Sequence, residues 1–288
     1  MNQHQSINLR QLCLGYFLYS TSVKLLTLPA ALVQGSGNWA WLATLLGVAA
    51  ELLLVGLATL ILRWVDTRRL GFRGLCFILV PLIAVEIWLT GQQIYDLAYA
   101  DLSTNLSLII FIITLVLLGI FFLTRQPRAV FRSGEILWIF YLIGLVIAIV
   151  PTLYTLQVNW GELVQGDWTT VWKTAGGNLL FFESASFVLA FGSETRKTSR
   201  ELGKINLIAW LCGLGYALFM LLFVILFGPL GATKPMGIVE MTTGAQSITA
   251  NGNLDWLIII TTLAALVLRF GVQLVAVVTL IKRGLAKK

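Results

Sequence analysis

The chain alternates between long apolar runs and short polar connectors, and most of the runs are long enough to cross a bilayer. A helix needs about 20 mostly apolar residues to span the hydrocarbon core. We therefore predict an all-α polytopic membrane protein, a single transmembrane domain over residues 1–288 with about eight spans. The predicted spans are Leu9–Val33, Asn38–Leu62, Gly74–Tyr99, Leu106–Leu123, Glu135–Leu156, Ala175–Glu194, Ile205–Phe227 and Leu254–Ile281.

The composition agrees with a membrane protein. Hydrophobic residues make up 58% of the chain and the mean hydropathy is +0.88. Charged residues make up only 11%, against about 25% in soluble domains. The first apolar run is too long for a signal-peptide core and no small-residue cleavage site follows it, so the first helix is expected to stay in place.

The basic residues lie mainly in alternate connectors between the predicted spans. In a soluble protein the net charge of +7 would indicate a nucleic-acid partner. Here the clusters follow the positive-inside rule instead, with groups such as Arg63, Arg68, Arg69 and Arg73 after the second span. The distribution predicts cytoplasmic N- and C-termini, an integral membrane location and no nucleic-acid partner.

Two of the predicted outer connectors are longer than turns. The first spaces Trp160, Trp168 and Trp172 among polar residues, which is typical of a short helix at the headgroup level. The second, GATKPMGIVEMTTGAQSITANGN, is polar and rich in glycine. It is interpreted either as a lid or docking loop or as a solvated connector.

Five ionisable residues lie well inside the predicted spans, namely Lys24, Glu51, Glu86, Glu183 and Arg269. A charge that faces lipid at this depth costs about 2.5–3.5 kcal/mol on insertion scales, so these side chains are expected to face one another or a cavity. Polar residues at helical spacing share a face with most of them. For Lys24, snorkelling to the interface is the alternative, although the distance to the span end exceeds its reach.

The buried charges do not balance, because two cations accompany three carboxyl groups. A carboxyl group without a cation in a low dielectric favours its protonated form. One hypothesis is that Glu51 or Glu86 is this group and that a proton acts as the coupling or sensing ion. Purely structural ion pairs between helices are the equal alternative.

Polar interruptions occur in the first and sixth predicted spans. STS precedes Pro29 in the first, while Gly, Glu and Ser residues interrupt the sixth. Broken helices five spans apart are typical of an inverted repeat with a midplane site. A small zwitterion such as a free amino acid would suit this site, with helix ends near Ser20–Ser22 for its carboxylate. The predicted ligand-binding residues are Ser20, Thr21, Ser22, Lys24, Glu183, Ser184 and Ser186.

Catalysis is not indicated by the residues. The only histidine is His4, and the three cysteines, Cys13, Cys76 and Cys212, have no metal-ligand spacing. A Ser/His/Asp or Cys/His set is therefore excluded, and Walker or Rossmann motifs do not occur. We predict neither an enzyme, nor a cofactor, nor a metal site.

Four segments resemble the spore germination permease family, the membrane B subunits of nutrient germinant receptors within the amino acid–polyamine–organocation transporter superfamily. They are INLRQLCLGYFLYSTSVKLLTLPAAL, GNWAWLATLLGVAAELLLVGLATLI, GNLLFFESASFVLAF and NLDWLIIIT, and they occur in order through nearly the whole chain. Glu183 stands at the Phe-Glu position of that family, and Pro29 at its Leu-Pro position.

The resemblance implies a transporter-like inverted-repeat fold that senses an amino acid or similar nutrient in the cell or spore inner membrane. Its implied partners are the small-molecule nutrient, the lipid bilayer, and A-type and C-type receptor subunits. Family members usually have ten spans, whereas eight are predicted here, so the resemblance leads us to expect that the last two are missing. An active, proton-coupled amino-acid permease and a non-binding structural membrane subunit are the alternatives.

Overall fold

The described part of the chain is built from helices and contains no strand. The α-helices are α1 (Leu9–Leu26), α2 (Leu28–Ser36), α3 (Ala40–Trp64), α4 (Leu70–Leu97), α5 (Leu108–Thr124), α6 (Pro127–Thr155), α7 (Trp168–Gly177), α8 (Ala185–Phe191), α9 (Ser199–Phe227), α10 (Gly237–Gln246) and α11 (Asp255–Leu285). The computed structural model describes residues 7–64, 70–102, 107–125, 127–155, 166–182, 184–192, 199–246 and 255–285.

Short segments of tighter or wider helix connect several of these elements. Three are 3-10 helices, at Gly37–Trp39, Leu179–Phe182 and Gly228–Thr233. A π-helical turn at Ala98–Leu102 follows α4. These segments let the chain change direction while most backbone groups stay hydrogen-bonded, as burial in a membrane requires.

Five helical segments of the described chain are long and apolar enough to cross a membrane, so the protein is an all-α membrane protein. A sixth candidate is the pair Trp168–Gly177 and Leu179–Phe191, which is bent by 64°. The five are Leu28–Trp64, Gly74–Ala100, Pro127–Leu153, Leu202–Thr233 and Trp256–Leu285.

The predicted number of eight spans thus stays a prediction. The first predicted span is divided at Thr27, and its second part, α2, continues into α3 within one helical run. The fourth is a helix of 17 residues, shorter than a typical crossing. The sixth coincides with the bent pair rather than with a continuous helix.

The first helix begins with a capping box. The Asn8 side chain accepts a hydrogen bond from the Arg10 amide at 3.4 Å, and the Gln11 side chain accepts one from the Asn8 amide at 3.2 Å. The helix ends at Leu26 because Pro29 has no amide hydrogen to donate to the Leu25 carbonyl, four residues earlier.

The centre of the molecule is α1. Its residues from Tyr16 onward are almost all buried, and it packs against α6, α9 and α11. In contrast, α5 exposes most of its apolar side chains, as expected of a helix that faces lipid; Ile109 is 70% exposed. A polar side chain on the inner part of α1 is therefore surrounded by protein.

The two long connectors predicted to lie outside contain one helix each. The first contains α7, whose Trp168 and Trp172 are exposed, as the interfacial prediction requires; Trp160 lies outside the described residues. Asp167 caps α7, and hydrogen bonds from the Thr169 hydroxyl and amide hold the pKa of its carboxyl below the ordinary value. The second contains α10, which packs against α6, α11 and α1 with Ile238 and Met241 buried, so it is not a solvated connector.

Candidate functional site

The Lys24 ammonium and the Glu51 carboxylate form an ion pair between α1 and α3. Lys24 Nζ lies 2.5 Å from Glu51 Oε2, and the two side chains are 2% and 3% exposed. Lys24 Nζ also donates to Ser20 Oγ at 2.8 Å, one turn earlier on α1. The Ser20 hydroxyl in turn donates to Glu51 Oε1 at 3.2 Å. Lys24 therefore does not snorkel.

The segment between α7 and α8 completes this cluster. The Ser184 hydroxyl, at the start of α8, donates to Glu51 Oε1. The Phe182 ring lies beneath the ammonium, with Lys24 Nζ 5.3 Å from the ring centroid. Gly47 on α3 makes room for this ring, because a Cβ at that position would overlap it. We call Ser20, Lys24, Glu51, Phe182 and Ser184 the Glu51 cluster.

Two buried tyrosines lie beside the Glu51 cluster. Tyr16 lies near Ser20 and Ser184, and both Tyr16 and Tyr216 interact electrostatically with the Glu51 carboxylate. Tyr16 lies close to the hydroxyls of Ser20 and Ser184, and Tyr216 to that of Thr44, but the distances and angles do not make a full hydrogen bond with any described residue. Buried polar groups are normally hydrogen-bonded, so two such hydroxyls beside a carboxylate are available to bind a further polar partner.

A second cluster lies between α1, α4 and α11. Glu86 Oε2 accepts from the Tyr19 hydroxyl at 2.7 Å and from Gln273 Nε2 at 3.1 Å. Arg269 Nη2 lies 3.6 Å from the same oxygen, and Arg269 Nη1 donates to the Tyr19 carbonyl at 2.5 Å. The guanidinium also lies over the Tyr19 ring, 4.4 Å from its centroid. These contacts tie three helices together, and we call the set the Glu86 cluster.

One aromatic side chain lies between the two clusters. The Phe187 ring of α8 contacts Tyr16 and Tyr19, with ring centroids 5.7 Å and 5.1 Å apart. A displacement of α8 would therefore reach both carboxylates, since Ser184 binds Glu51 and Tyr19 binds Glu86.

The interruption between α1 and α2 is in contact with two other helices. Gln93 Nε2 of α4 donates to Thr27 Oγ1 at 2.9 Å. On another side, α10 begins at Gly237, where a Cβ would lie 3.0 Å from the Leu25 carbonyl oxygen and 2.8 Å from Pro29 Cγ. The first turn of α10 therefore packs against the interruption between α1 and α2.

The structure brings some of the predicted ligand-binding residues together. Ser20, Lys24 and Ser184 meet at Glu51. Thr21 is buried, and its hydroxyl donates to the Phe17 carbonyl at 2.7 Å within α1.

The remaining predicted residues are Ser22, Ser186 and Glu183. Ser22 is fully buried, and its hydroxyl has no partner among the described residues. Ser186 is buried in the first turn of α8. Glu183 lies outside the described residues.

One interpretation of the first span is wrong. Ser20–Ser22 are inside α1 rather than at a helix end, so the helix itself uses their backbone amides. The break comes at Thr27, where Pro29 dictates it.

The hypothesis that Glu51 or Glu86 has no cation is also wrong. Each carboxylate has one of the two buried cations as its partner, Lys24 for Glu51 and Arg269 for Glu86.

Three members of this region were not predicted from the sequence, namely Tyr16, Phe182 and Tyr216. Tyr16 lies four residues before Ser20, which lies four before Lys24, so helical spacing alone places it on the same face. For Phe182 and Tyr216 no local pattern was sufficient, because their approach to Glu51 depends on the packing of α8 and α9 against α3.

The chemistry of the Glu51 cluster is that of an ammonium-binding site. A carboxylate, a hydroxyl and an aromatic face all surround one primary ammonium. Within the described residues there is no group of three or more His, Cys, Asp or Glu side chains placed to hold a metal ion. Neither a scan against protein-family models nor a search of curated proteins finds a match for this sequence.

Proposed function

We infer that this chain is the membrane subunit of a nutrient receptor of the spore-germinant type and binds an amino acid or similar small molecule at the Glu51 cluster. One observation carries the proposal. The Glu51 cluster joins α1, α3 and the start of α8 around a buried ion pair, beside the Tyr16 and Tyr216 hydroxyls that lack a partner among the described residues. A site with spare hydrogen-bonding capacity favours ligand binding over a purely structural ion pair.

The segments that resemble germination permeases contribute directly to this site. Lys24 belongs to the first segment, Glu51 to the second and Ser184 to the third. The transporter-like inverted repeat, with eight spans, is part of the proposal. So are the A-type and C-type partner subunits and the cytoplasmic termini.

The alternative is an amino-acid permease. The breaks at Thr27 and between α7 and α8 favour it, because discontinuous helices beside a buried polar site are typical of transporters. A receptor needs only a shift between two states when ligand binds, whereas transport needs access from both sides. Uptake of radiolabelled amino acids into proteoliposomes separates the two.

A ligand-stabilisation screen of the purified protein tests the proposal. Amino acids, sugars and nucleosides are added to the wild type and to Glu183→Gln, and the unfolding temperature is measured. We expect stabilisation by one or more amino acids. Stabilisation by none of the compounds would favour a structural subunit, and stabilisation unaffected by Glu183→Gln would remove that residue from the site. Co-purification with coexpressed A-type and C-type subunits tests the partners.

A further inference from the structure

The Glu51 cluster already binds a primary ammonium, which the chain itself supplies. Lys24 Nζ is held by Glu51 Oε2 at 2.5 Å, by Ser20 Oγ at 2.8 Å and by the Phe182 ring at 5.3 Å. The ammonium group of an amino acid would be recognised by the same three chemical groups, a carboxylate, a hydroxyl and an aromatic face. Lys24 therefore competes with any such ligand.

Charge balance limits which ligands can displace Lys24 from Glu51. Lys24 and Glu51 together are neutral and almost completely buried. A simple amine bound to Glu51 would leave the buried Lys24 ammonium without a partner among the described residues. A simple carboxylate bound to Lys24 would leave Glu51 without one in the same way. Leaving one member of a buried pair uncompensated is strongly unfavourable. A zwitterion avoids both penalties, because it supplies a partner for each charge.

We propose that the Lys24–Glu51 ion pair is an exchangeable lock that opens only for a zwitterion. On binding, the ligand ammonium takes the place of Lys24 Nζ on Glu51, and the released Lys24 ammonium binds the ligand carboxylate. No proton transfer is needed, because the ion pair and the zwitterion each have a net charge of zero. The inference rests on the proposed function and makes Lys24 the residue that determines specificity.

The remaining contacts of Glu51 suit such an exchange. Lys24 binds Oε2, whereas Ser20 and Ser184 both donate to Oε1. Two hydroxyls therefore hold the carboxylate in place while Lys24 leaves. The Tyr16 and Tyr216 hydroxyls, which have no partner among the described residues, supply donors near the position of the ligand.

The wild-type protein provides the first test. The amino acid that most strongly stabilises it is compared with its decarboxylated amine and its deaminated acid; for L-leucine these are isopentylamine and isocaproate. Affinities are taken from the dependence of the unfolding temperature on concentration. Because each single-charged analogue leaves one buried charge unpaired, it should bind at least about a hundredfold more weakly.

Lys24→Gln provides the second test, because glutamine keeps hydrogen-bond donors but has no charge to displace. Compared with the wild type, the variant should bind the amino acid at least about tenfold more weakly and the amine at least about tenfold more tightly. The preference of the protein for the amino acid over the amine should therefore become smaller or reverse. Arg269→Gln is the matched control. It removes the cation of the other buried pair and should leave the preference of the wild type unchanged.

The outcomes separate the lock from the proposed function. The lock proposal is wrong if the wild type binds the amine or the acid as tightly as the amino acid. It is also wrong if Lys24→Gln keeps the wild-type preference for the amino acid. In either case the proposal of a nutrient site is unaffected. If no amino acid binds the wild type, both proposals fail. Should Lys24→Gln not fold, the comparison of the three compounds on the wild type still decides.

Discussion

Lys24 on α1 and Glu51 on α3 form an ion pair of 2.5 Å in which both side chains are almost completely buried. The pair lies where α1, α3 and the start of α8 meet, since Ser184 also binds Glu51. The pair therefore connects these helices, and a ligand that binds there would have to rearrange it. Removing the pair should change stability and ligand binding, both of which can be measured.

Replacing one member of the pair should destabilise the protein more than replacing both. Lys24→Met leaves a buried carboxylate without a cation, which costs about 3–5 kcal/mol. Lys24→Met combined with Glu51→Met removes both charges and should recover most of this loss. Denaturant unfolding of the purified protein measures the difference. Additive destabilisation in the double variant would show that the two charges do not interact.

Two tyrosines one turn apart on α1 should respond differently to loss of the hydroxyl. Tyr19 donates to Glu86 at 2.7 Å, so Tyr19→Phe should cost about 1.5–3 kcal/mol, the usual range for a hydrogen bond to a charged group. Tyr16 has no hydrogen-bond partner among the described residues, so Tyr16→Phe should cost less than about 1 kcal/mol. Equal losses in the unfolding free energy would contradict the assigned contacts.

Two glycines on α3 test the position of Phe182. A methyl group at Gly47 would overlap the Phe182 ring, whereas Gly56 has open space. Gly47→Ala should therefore displace the ring from beneath Lys24 and weaken amino-acid binding at least about tenfold, with Gly56→Ala as the neutral control. Ligand-dependent shifts of the unfolding temperature measure both. Unchanged binding in Gly47→Ala would show that Phe182 is not part of the site.

The contact of α10 with the break in the first span can be tested in the same way. Gly237→Ala places a methyl group 3.0 Å from the Leu25 carbonyl oxygen and 2.8 Å from Pro29, so α10 should be displaced at a cost of about 1–3 kcal/mol. Gly203→Ala on α9 meets no atom within 4 Å and serves as the control. Hydrogen exchange should accelerate in residues 237–246 of Gly237→Ala alone. Equal protection in both variants would place α10 elsewhere.

Burial of the charged residues was predictable from the sequence. Lys24, Glu51, Glu86 and Arg269 interrupt long apolar runs, and the cost of exposing a charge to lipid requires an inward face for each. Their partners were not predictable, because helical spacing defines which face a residue occupies but not which helix packs against that face. The pairing of Lys24 with Glu51 is decided by the packing around α1.

The local structure of two short segments illustrates the same limit. Pro29 is sufficient to place the break near Leu25, since proline cannot donate to the carbonyl four residues before it, yet the polar STS sequence suggested an earlier position. The burial of α10 was not indicated by its sequence, because a short, polar, glycine-rich segment is equally typical of a solvated loop. Contacts with α1, α6 and α11 bury it.

The central claim is that a small nutrient binds at Glu51 and not elsewhere. The most direct measurement is equilibrium binding of radiolabelled amino acids to the purified wild type, Glu51→Gln and Glu86→Gln. We predict saturable binding to the wild type, loss of binding in Glu51→Gln, and retained binding in Glu86→Gln, whose carboxylate serves the other cluster. Absence of binding to the wild type, or retained binding in Glu51→Gln, would contradict the claim.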